Sequence, residues 1–189
     1  MNFKFTPIGT LHTCYKEKFG IPRQPNLVKD APATLVFNPQ IAREETVRGL
    51  EMFSHIWLLF AFHKNVEQDA GWSPMVRPPR LGGNRKVGVF ASRSPFRPNP
   101  IGMSAVRLES IEMTDSGPVL HLTGADILDQ TPVLDIKPYL PYSDMVPGAT
   151  DGYAAGMQKT GITVDFSKRA GKKSGKRKPL FRTLPASFP

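Results

Sequence analysis

Two arginines lie in a short segment that is rich in proline. Residues 91–102 read ASRSPFRPNPIG, which places Arg93 and Arg97 four positions apart among three prolines. Proline fixes its own φ angle and restricts the residue before it to extended geometry, so we expect a stiff loop. A guanidinium on a stiff backbone loses little freedom on binding, and its planar fork matches a carboxylate or a phosphate. The segment predicts an anion-binding loop, with a structural turn that exposes its arginines as the alternative.

A second polar segment carries acidic, basic and phenolic side chains at strand spacing. Residues 128–144 read LDQTPVLDIKPYLPYSD, and Asp129 lies in a turn where it can accept a hydrogen bond from a ribose hydroxyl or an amine. Asp135 and Lys137 are two positions apart, so they share one face of a strand that leads to Tyr139. These residues predict a charged pair beside a pocket mouth, and the alternative is a structural ion pair.

Two further loops place arginine beside proline. Residues 18–25 read KFGIPRQP, with Arg23 next to the amide of Gln24, and residues 76–84 read VRPPRLGGN. The second loop favours a polyproline-like backbone, and its arginines are Arg77 and Arg80. Each loop by itself is more typical of a protein surface than of a binding site.

Runs of strand length dominate the first 140 residues. Residues with β-branched or aromatic side chains, separated by glycine and proline, predict strands at 6–13, 33–38, 55–62, 87–92, 104–113, 119–128 and 132–140. Many short strands are typical of a sandwich or a barrel. One amphipathic stretch, REETVRGLEMF at residues 43–53, predicts a helix, although it contains Gly49. The expected fold is mainly β with one or two short helices.

Positive charge is concentrated at the end of the chain. The formal net charge is +9, yet residues 168–189 contain eight basic residues and no acidic one, which leaves 17 basic and 16 acidic residues elsewhere. Basic segments with glycine and serine often contact nucleic acid. We expect a core domain at 1–146, a connection at 147–167 and a basic, flexible C-terminal tail at 168–189, whose RNA contacts are Lys172, Lys173, Lys176, Arg177 and Lys178.

Several classes of protein do not fit this sequence. Cys14 is the single cysteine, so no intramolecular disulfide forms, as is typical of the reducing cytosol. No Cys/His cluster has zinc-ligand spacing, and no GxGxxG fingerprint of a dinucleotide site occurs. The apolar run at residues 56–62 has seven residues, where a membrane span needs about 20, and no secretory signal is visible. We expect a cytoplasmic protein without metal or membrane association.

Five segments, taken together, resemble the TrmO-like (TsaA-like) family of S-adenosylmethionine-dependent tRNA methyltransferases. They span most of residues 3–144 and read PIGTLHTCYKEKFGIPRQP, VRGLEMFSHIWLLFAFH, VRPPRLGGN, VGVFASRSPFRPNPIGMS and LDQTPVLDIKPYLPYSD. The resemblance implies a small antiparallel β-barrel that forms a homodimer, with the cofactor in a pocket between loops. It also implies methyl transfer from S-adenosylmethionine to N6 of threonylcarbamoyladenosine at position 37 of tRNA.

The resemblance also assigns individual residues by their position in the matching segments. The implied cofactor-binding residues are Pro22, Arg23, Gln24, His63, Lys64, Arg93, Leu128, Asp129, Gln130 and Thr131. S-adenosylmethionine offers a carboxylate for an arginine, a ribose diol for an aspartate and an adenine edge for backbone and amide groups. Under this assignment Arg93 meets the cofactor, and the arginines that face the RNA are Arg77, Arg80 and Arg97.

The proton acceptor of such a reaction stays open at the level of the sequence. The urea-like N6 of the modified adenosine is a poor nucleophile, so catalysis requires positioning and proton removal. His63, Asp135 and Tyr139 are candidates for the proton acceptor. Asp135 is favoured because Lys137 lies beside it. The expected catalytic set is Asp135, Lys137 and Tyr139. Two alternatives are a non-catalytic nucleic-acid-binding barrel and an S-adenosylmethionine-dependent methyltransferase or sensor with another acceptor.

Overall fold

The computed structural model describes residues 3–67 and 71–155, and its main element is a closed β-barrel. The strands of this part of the chain are β1 (Gly9–Thr13), β2 (Pro32–Phe37), β3 (His55–Ala61), β4 (Met75–Val76), β5 (Val87–Gly88), β6 (Ile101–Thr114), β7 (Gly117–Thr123) and β8 (Thr131–Pro138). The barrel order is β1-β2-β7-β6-β3-β8, every pair is antiparallel, and β8 closes on β1. The prediction of a small antiparallel β-barrel is confirmed.

Alternating burial along the strands forms the barrel core. In β3 the side chains of Ile56, Leu58 and Phe60 are buried, while their neighbours along the strand are only half-buried. This alternation is what an antiparallel sheet with one covered face requires, because successive side chains lie on opposite faces. The other barrel strands supply fully buried partners, which are Leu11, Leu35, Val106, Leu120, Leu122 and Val133.

The predicted helix over residues 43–53 is wrong. Two separate 3-10 turns occupy this stretch, at Glu44–Thr46 and Leu50–Met52. Gly49 stands between them with a φ angle of 86°, in the left-handed region. A right-handed helix does not pass through a residue in that conformation, so the chain turns twice instead of forming one helix. The apolar side of the stretch still packs on the barrel, through the buried side chain of Val47.

Three of the predicted strands are shorter by three residues or more in the structure, and the first of them, β1, begins at Gly9 instead of residue 6. Strand β5 has only two residues of the predicted range 87–92, and a 3-10 turn at Val89–Ala91 follows it. Strand β7 ends at Thr123 instead of residue 128, because the following segment leaves the sheet and bonds to the end of β1. In that contact the backbone N–H of Asp129 donates to the Tyr15 carbonyl at 2.8 Å. The helices of the described part are α1 (His63–Glu67) and α2 (Pro141–Asp144).

The chain separates into two compact units, residues 1–149 and residues 150–189. In the second unit the structure describes a 3-10 turn at Gly152–Ala154. The predicted RNA contacts Lys172, Lys173, Lys176, Arg177 and Lys178 lie outside the described residues, so the bounds 1–146, 147–167 and 168–189 stay predictions. Among residues 3–67 and 71–155, no helix has the length and apolar character that a membrane span needs.

Candidate functional site

The proline-rich segment at residues 91–102 is braced by its own polar side chains. The backbone N–H of Ser94 donates to the Ser92 hydroxyl at 3.3 Å. The Nη1 atom of Arg97 donates to the carbonyl oxygens of Ser92 and Ser94, at 3.2 and 3.5 Å. These bonds add to the restriction that proline imposes on the backbone. Arg93 therefore projects from a braced loop, and Arg97 is one of the braces.

A cavity of about 810 Å³ lies beside this loop and brings together the two arginine loops that precede β2 and β6. Across it, Arg93 donates a hydrogen bond to the side-chain carbonyl of Gln24. The amide of Asn26 donates to the carbonyl of Ala105 at 3.1 Å and holds the first loop against β6. The polar and charged residues that line this larger cavity include Arg23, Gln24, Arg93, Arg97, His55 and Asp126.

Aromatic side chains form one wall of the larger cavity. The rings of Trp57 and Tyr139 lie 5.4 Å apart between centroids, and those of His55 and Tyr139 lie 6.4 Å apart. Trp57 Nε1 donates to Asp144 Oδ2 at 2.9 Å, and the same oxygen accepts the backbone N–H of Leu140 at 2.8 Å. Both hydrogen bonds lower the pKa of Asp144, and the bond from the Leu140 backbone has the larger effect. The indole is thus held in one orientation by a carboxylate that stays charged.

A second, smaller cavity of about 360 Å³ is lined by four more of the predicted cofactor residues. His63, Lys64, Leu128 and Thr131 line it, together with residues 16–18 at the end of β1. The Thr131 hydroxyl donates to the Leu128 carbonyl at 2.7 Å and lies 3.4 Å from His63 Nδ1. Eight of the ten predicted cofactor residues are therefore divided between two cavities, and Asp129 and Gln130 line neither.

Within the described part of the chain, three residues line both cavities: Phe60, Phe62 and Asp126. The two phenylalanine rings meet edge to face, with their centroids 5.3 Å apart. Phe60 needs the glycine that ends the proline-rich segment, because it pairs with Gly102 across β3 and β6 and a Cβ atom there would overlap its ring. The junction between the cavities is therefore two aromatic rings and one carboxylate.

Asp126 was not among the residues predicted from the sequence. Ser104 Oγ donates to its Oδ1 atom at 2.6 Å. Burial raises the pKa of Asp126 above its usual value, although the hydrogen bond from Ser104 and the charge of Arg93 act against this rise. The available signal was a carboxylate between two apolar residues, Ala125 and Ile127, which are both buried. This signal was missed because residues 119–128 were predicted to form one strand.

Asp129 joins β1 to the segment before β8. Its Oδ1 atom accepts the backbone N–H of Thr13 at 2.9 Å, and its Oδ2 atom lies 2.5 Å from Lys16 Nζ. Burial alone would raise the pKa of Asp129, but the bonds from Lys16 and Thr13 outweigh it and lower the pKa. This arrangement differs from the expected open acceptor for a ribose, because both carboxylate oxygens bind groups of the protein and Asp129 lines neither cavity.

The remaining predicted residues lie around the cavities rather than in them. Asp135 and Lys137 form an ion pair at 3.2 Å with both side chains about half exposed or more, and Lys137 lies opposite Trp57 in the register of β3 and β8. This is a surface pair next to the aromatic wall, whereas Tyr139 does line the larger cavity. Asp135 and Lys137 line neither cavity, and the same holds for Arg77, Arg80 and Gln130, the last of which is exposed with a φ angle of 61°.

Within residues 3–67 and 71–155, no group of three or more histidine, cysteine, aspartate or glutamate side chains is arranged to hold a metal ion. Cys14 is a free, exposed cysteine. The cavity side chains that can bind a ligand include arginines, aromatic rings and the Asp126 carboxylate.

Known proteins resemble this chain in sequence and in fold. Residues 10–145 match the family model of the tRNA-methyltransferase O N-terminal domain. A tRNA (adenine(37)-N6)-methyltransferase of Escherichia coli is 48% identical over 171 residues, which cover 90% of this chain and 72% of that protein. The crystal structure of TrmO from Pseudomonas aeruginosa superposes with a TM-score of 0.74 at 42% identity, covering 94% of this chain and 75% of the other. This chain therefore belongs to the tRNA-methyltransferase O family.

Proposed function

We propose that the protein transfers a methyl group from S-adenosylmethionine to N6 of adenine 37 in tRNA, and that the adenine is threonylcarbamoylated. The observation that carries this proposal is the pair of unlike cavities that meet at Phe60, Phe62 and Asp126. Methyl transfer requires a donor and an acceptor held side by side with their reacting atoms aligned. Family membership and the names of the relatives support the same reaction.

The residues around the junction fit S-adenosylmethionine. Arg93 is placed by Gln24 and can form a bidentate pair with the carboxylate of the methionine moiety. The rings of Phe60 and Phe62 suit the aromatic adenine and the cationic sulfonium group. When bound, S-adenosylmethionine supplies the methyl group. A relative from Pyrococcus abyssi, 40% identical over 141 residues, is named a probable S-adenosyl-L-methionine-binding protein.

The aromatic wall of the larger cavity fits the acceptor base. Single-stranded bases of RNA loops are commonly bound by stacking on aromatic side chains. Trp57 offers such a surface, because its indole is held by Asp144 and lies against Tyr139. Arg97 lines the same cavity, while Arg77 and Arg80 lie on the surface outside it. In this proposal those three arginines and the basic residues at 168–189 contact the phosphates of the tRNA.

The direct test is mass spectrometry of the anticodon-loop nucleosides. The full chain is incubated with S-adenosylmethionine and tRNA that carries threonylcarbamoyladenosine, and in parallel with unmodified tRNA. We expect a mass gain of one methyl group on the modified nucleoside at position 37. Absence of this product, with S-adenosylmethionine binding intact in a calorimetric titration, would favour a protein that binds the cofactor but has another acceptor. Absence of both would favour a non-catalytic nucleic-acid-binding barrel.

Removal of the Trp57 ring should weaken the binding of tRNA. We expect Trp57→Ala to lower the affinity by roughly 5- to 100-fold, because stacking contributes about 1–3 kcal/mol per base. Fluorescence anisotropy with a labelled anticodon stem-loop measures the change. Trp72→Ala is the matched control, since Trp72 is exposed and lines neither cavity. Equal losses in the two variants would contradict a stacking role for Trp57.

The basic segment at residues 168–189 makes a salt-dependent prediction. Each phosphate contact contributes a slope of about −0.7 to −0.9 to the plot of log affinity against log salt. Deletion of 168–189 should therefore flatten this slope for tRNA and leave the affinity for S-adenosylmethionine unchanged. Deletion of 183–189, which contains no basic residue, is the control. If both truncated chains keep the slope of the full chain, the segment makes no phosphate contacts.

We also propose that the protein is a cytoplasmic homodimer. Several large apolar side chains are exposed in a single copy, among them Phe19 at 97%, Phe90 at 78% and Met52 at 77%. Exposed apolar patches commonly mark interaction sites, and we infer that some of these side chains lie in the contact between two copies. Sedimentation velocity of the full chain tests the oligomeric state. We expect a species with twice the mass of one chain, and a species with the mass of a single chain would contradict the dimer.

A further inference from the structure

Asp126 is the carboxylate at the junction of the two cavities. Its side chain lines both the larger and the smaller cavity, next to the rings of Phe60 and Phe62. Among the described residues that line the larger cavity, it is also the only acidic one. A carboxylate in this position lies where the proposed methyl donor and the proposed acceptor base would meet. The inference below rests on the proposed function.

The proposed reaction needs a proton acceptor at the acceptor nitrogen. The lone pair of N6 is delocalised, so the nitrogen attacks readily only if its N–H proton leaves during the transfer. The three residues favoured by the sequence differ in position: His63 lines the smaller cavity, Tyr139 lies in the wall of the larger one, and Asp135 is an exposed partner of Lys137. Of the acidic residues that the structure describes, Asp126 alone borders both cavities.

The surroundings of Asp126 adjust its basicity. Burial disfavours the charged carboxylate and raises the pKa, while the hydrogen bond from Ser104 and the charge of Arg93 keep the rise in check. Burial likewise raises the pKa of Tyr15 to about 12, so this neighbouring phenol stays neutral. A carboxylate with a raised pKa is a stronger base than an exposed one. The other charged or titratable groups that line the cavities around Asp126 include Arg23, Arg97, His63 and Lys64.

We propose that Asp126 is the catalytic residue that accepts the proton from N6 during methyl transfer. The electron pair of N6 forms the new bond to the methyl carbon, and the bond between sulfur and that carbon breaks with its electron pair on sulfur. The N6 proton passes to the Asp126 carboxylate and from there to water. Ser104 is a positioning residue, because its hydroxyl orients the carboxylate through a 2.6 Å hydrogen bond.

Asp126→Asn keeps the shape of the side chain and removes the proton acceptor. We expect the single-turnover rate of methyl transfer to fall by about 100-fold or more. The affinity for S-adenosylmethionine, measured by calorimetry on the full chain, should stay within a few fold. Normal single-turnover methylation by this variant would overturn the proposal, as would a 100-fold loss in Asp135→Asn with none in Asp126→Asn.

Thermal melting gives a readout that does not depend on activity. The pKa of Asp126 is higher in the folded state than in the unfolded state. The wild type therefore loses stability as the pH rises from the pKa of the unfolded state through the pKa of the folded state. Asp126→Asn has no such loss, so its melting temperature should exceed that of the wild type at neutral pH by a few degrees and match it at acid pH. Asp129→Asn removes the charged carboxylate that Lys16 and the Thr13 backbone bind, so this variant should have a lower melting temperature than the wild type at neutral pH. A lowered melting temperature in Asp126→Asn would indicate a structural carboxylate and overturn the proposal.

Ser104→Ala provides an independent variant with a different signature. Loss of the hydrogen bond to the charged carboxylate raises the pKa of Asp126 further, so the acidic limb of the rate profile should move to higher pH. A merely structural serine would lower the amount of folded protein without moving this limb, and that result would count against the proposal. Should the wild type bind S-adenosylmethionine but not methylate adenine 37, the proposed function fails, while the melting curves still test the ionisation of Asp126.

Discussion

Replacement of Arg93 with alanine is expected to weaken the binding of S-adenosylmethionine by about 10- to 100-fold. A hydrogen bond to a charged group contributes roughly 1.5–3 kcal/mol, and each 1.4 kcal/mol is about tenfold in affinity. Arg93 is held by Gln24 at the wall of the larger cavity, so little side-chain freedom is lost when an anion binds. Isothermal titration of the full chain with S-adenosylmethionine measures the change.

A second substitution of Arg93 separates the planar donor pair of its guanidinium from its charge, and a variant at another arginine is the control. Arg93→Lys keeps the positive charge but loses the planar pair of donors, so its affinity should fall between those of the wild type and the alanine variant. Arg107→Ala is the control, because Arg107 is exposed on β6, pairs with Glu109 at 3.0 Å and lines neither cavity. Unchanged affinity in Arg93→Ala would remove this residue from the cofactor site.

Substitution of Gly102 by alanine is expected to affect both stability and binding. The added Cβ atom would overlap the ring of Phe60, which is buried in the barrel core and lines both cavities. Overpacking of a core typically costs about 1–3 kcal/mol, and here the displaced ring also changes the junction of the cavities. Denaturant unfolding should show the loss of stability, and calorimetry should show weaker binding of S-adenosylmethionine.

A matched glycine and a compensating substitution make this test specific. Gly88→Ala places a Cβ atom at a position with no heavy atom within 4 Å, so it should leave stability and binding nearly unchanged. Gly102→Ala combined with Phe60→Leu removes the aromatic ring that the methyl group would overlap, so it should recover part of the lost stability. A Gly102→Ala chain as stable as the wild type would show that the ring of Phe60 moves aside without cost.

The barrel strands were predictable because their signal is local. The alternation of buried and half-buried residues in β3, with Ile56, Leu58 and Phe60 on one face, is written in the order of the side chains. The proline-rich loop was predictable for the same reason, since proline acts on its own residue and on the one before it. The helix over residues 43–53 was mispredicted because its apolar periodicity gave no indication that Gly49 adopts a left-handed conformation.

The sequence by itself therefore determined the strand pattern, the stiffness of the arginine loops and the family to which the chain belongs. Only the tertiary structure decided that Arg93 and Gln24 face each other, that Asp129 joins β1 to the segment before β8, and that Asp126 borders two cavities. The physical reason is that closure of the barrel brings together loops that are far apart in the chain. A hydrogen bond such as that between Thr13 and Asp129, 116 positions apart, has no periodicity along the sequence to reveal it.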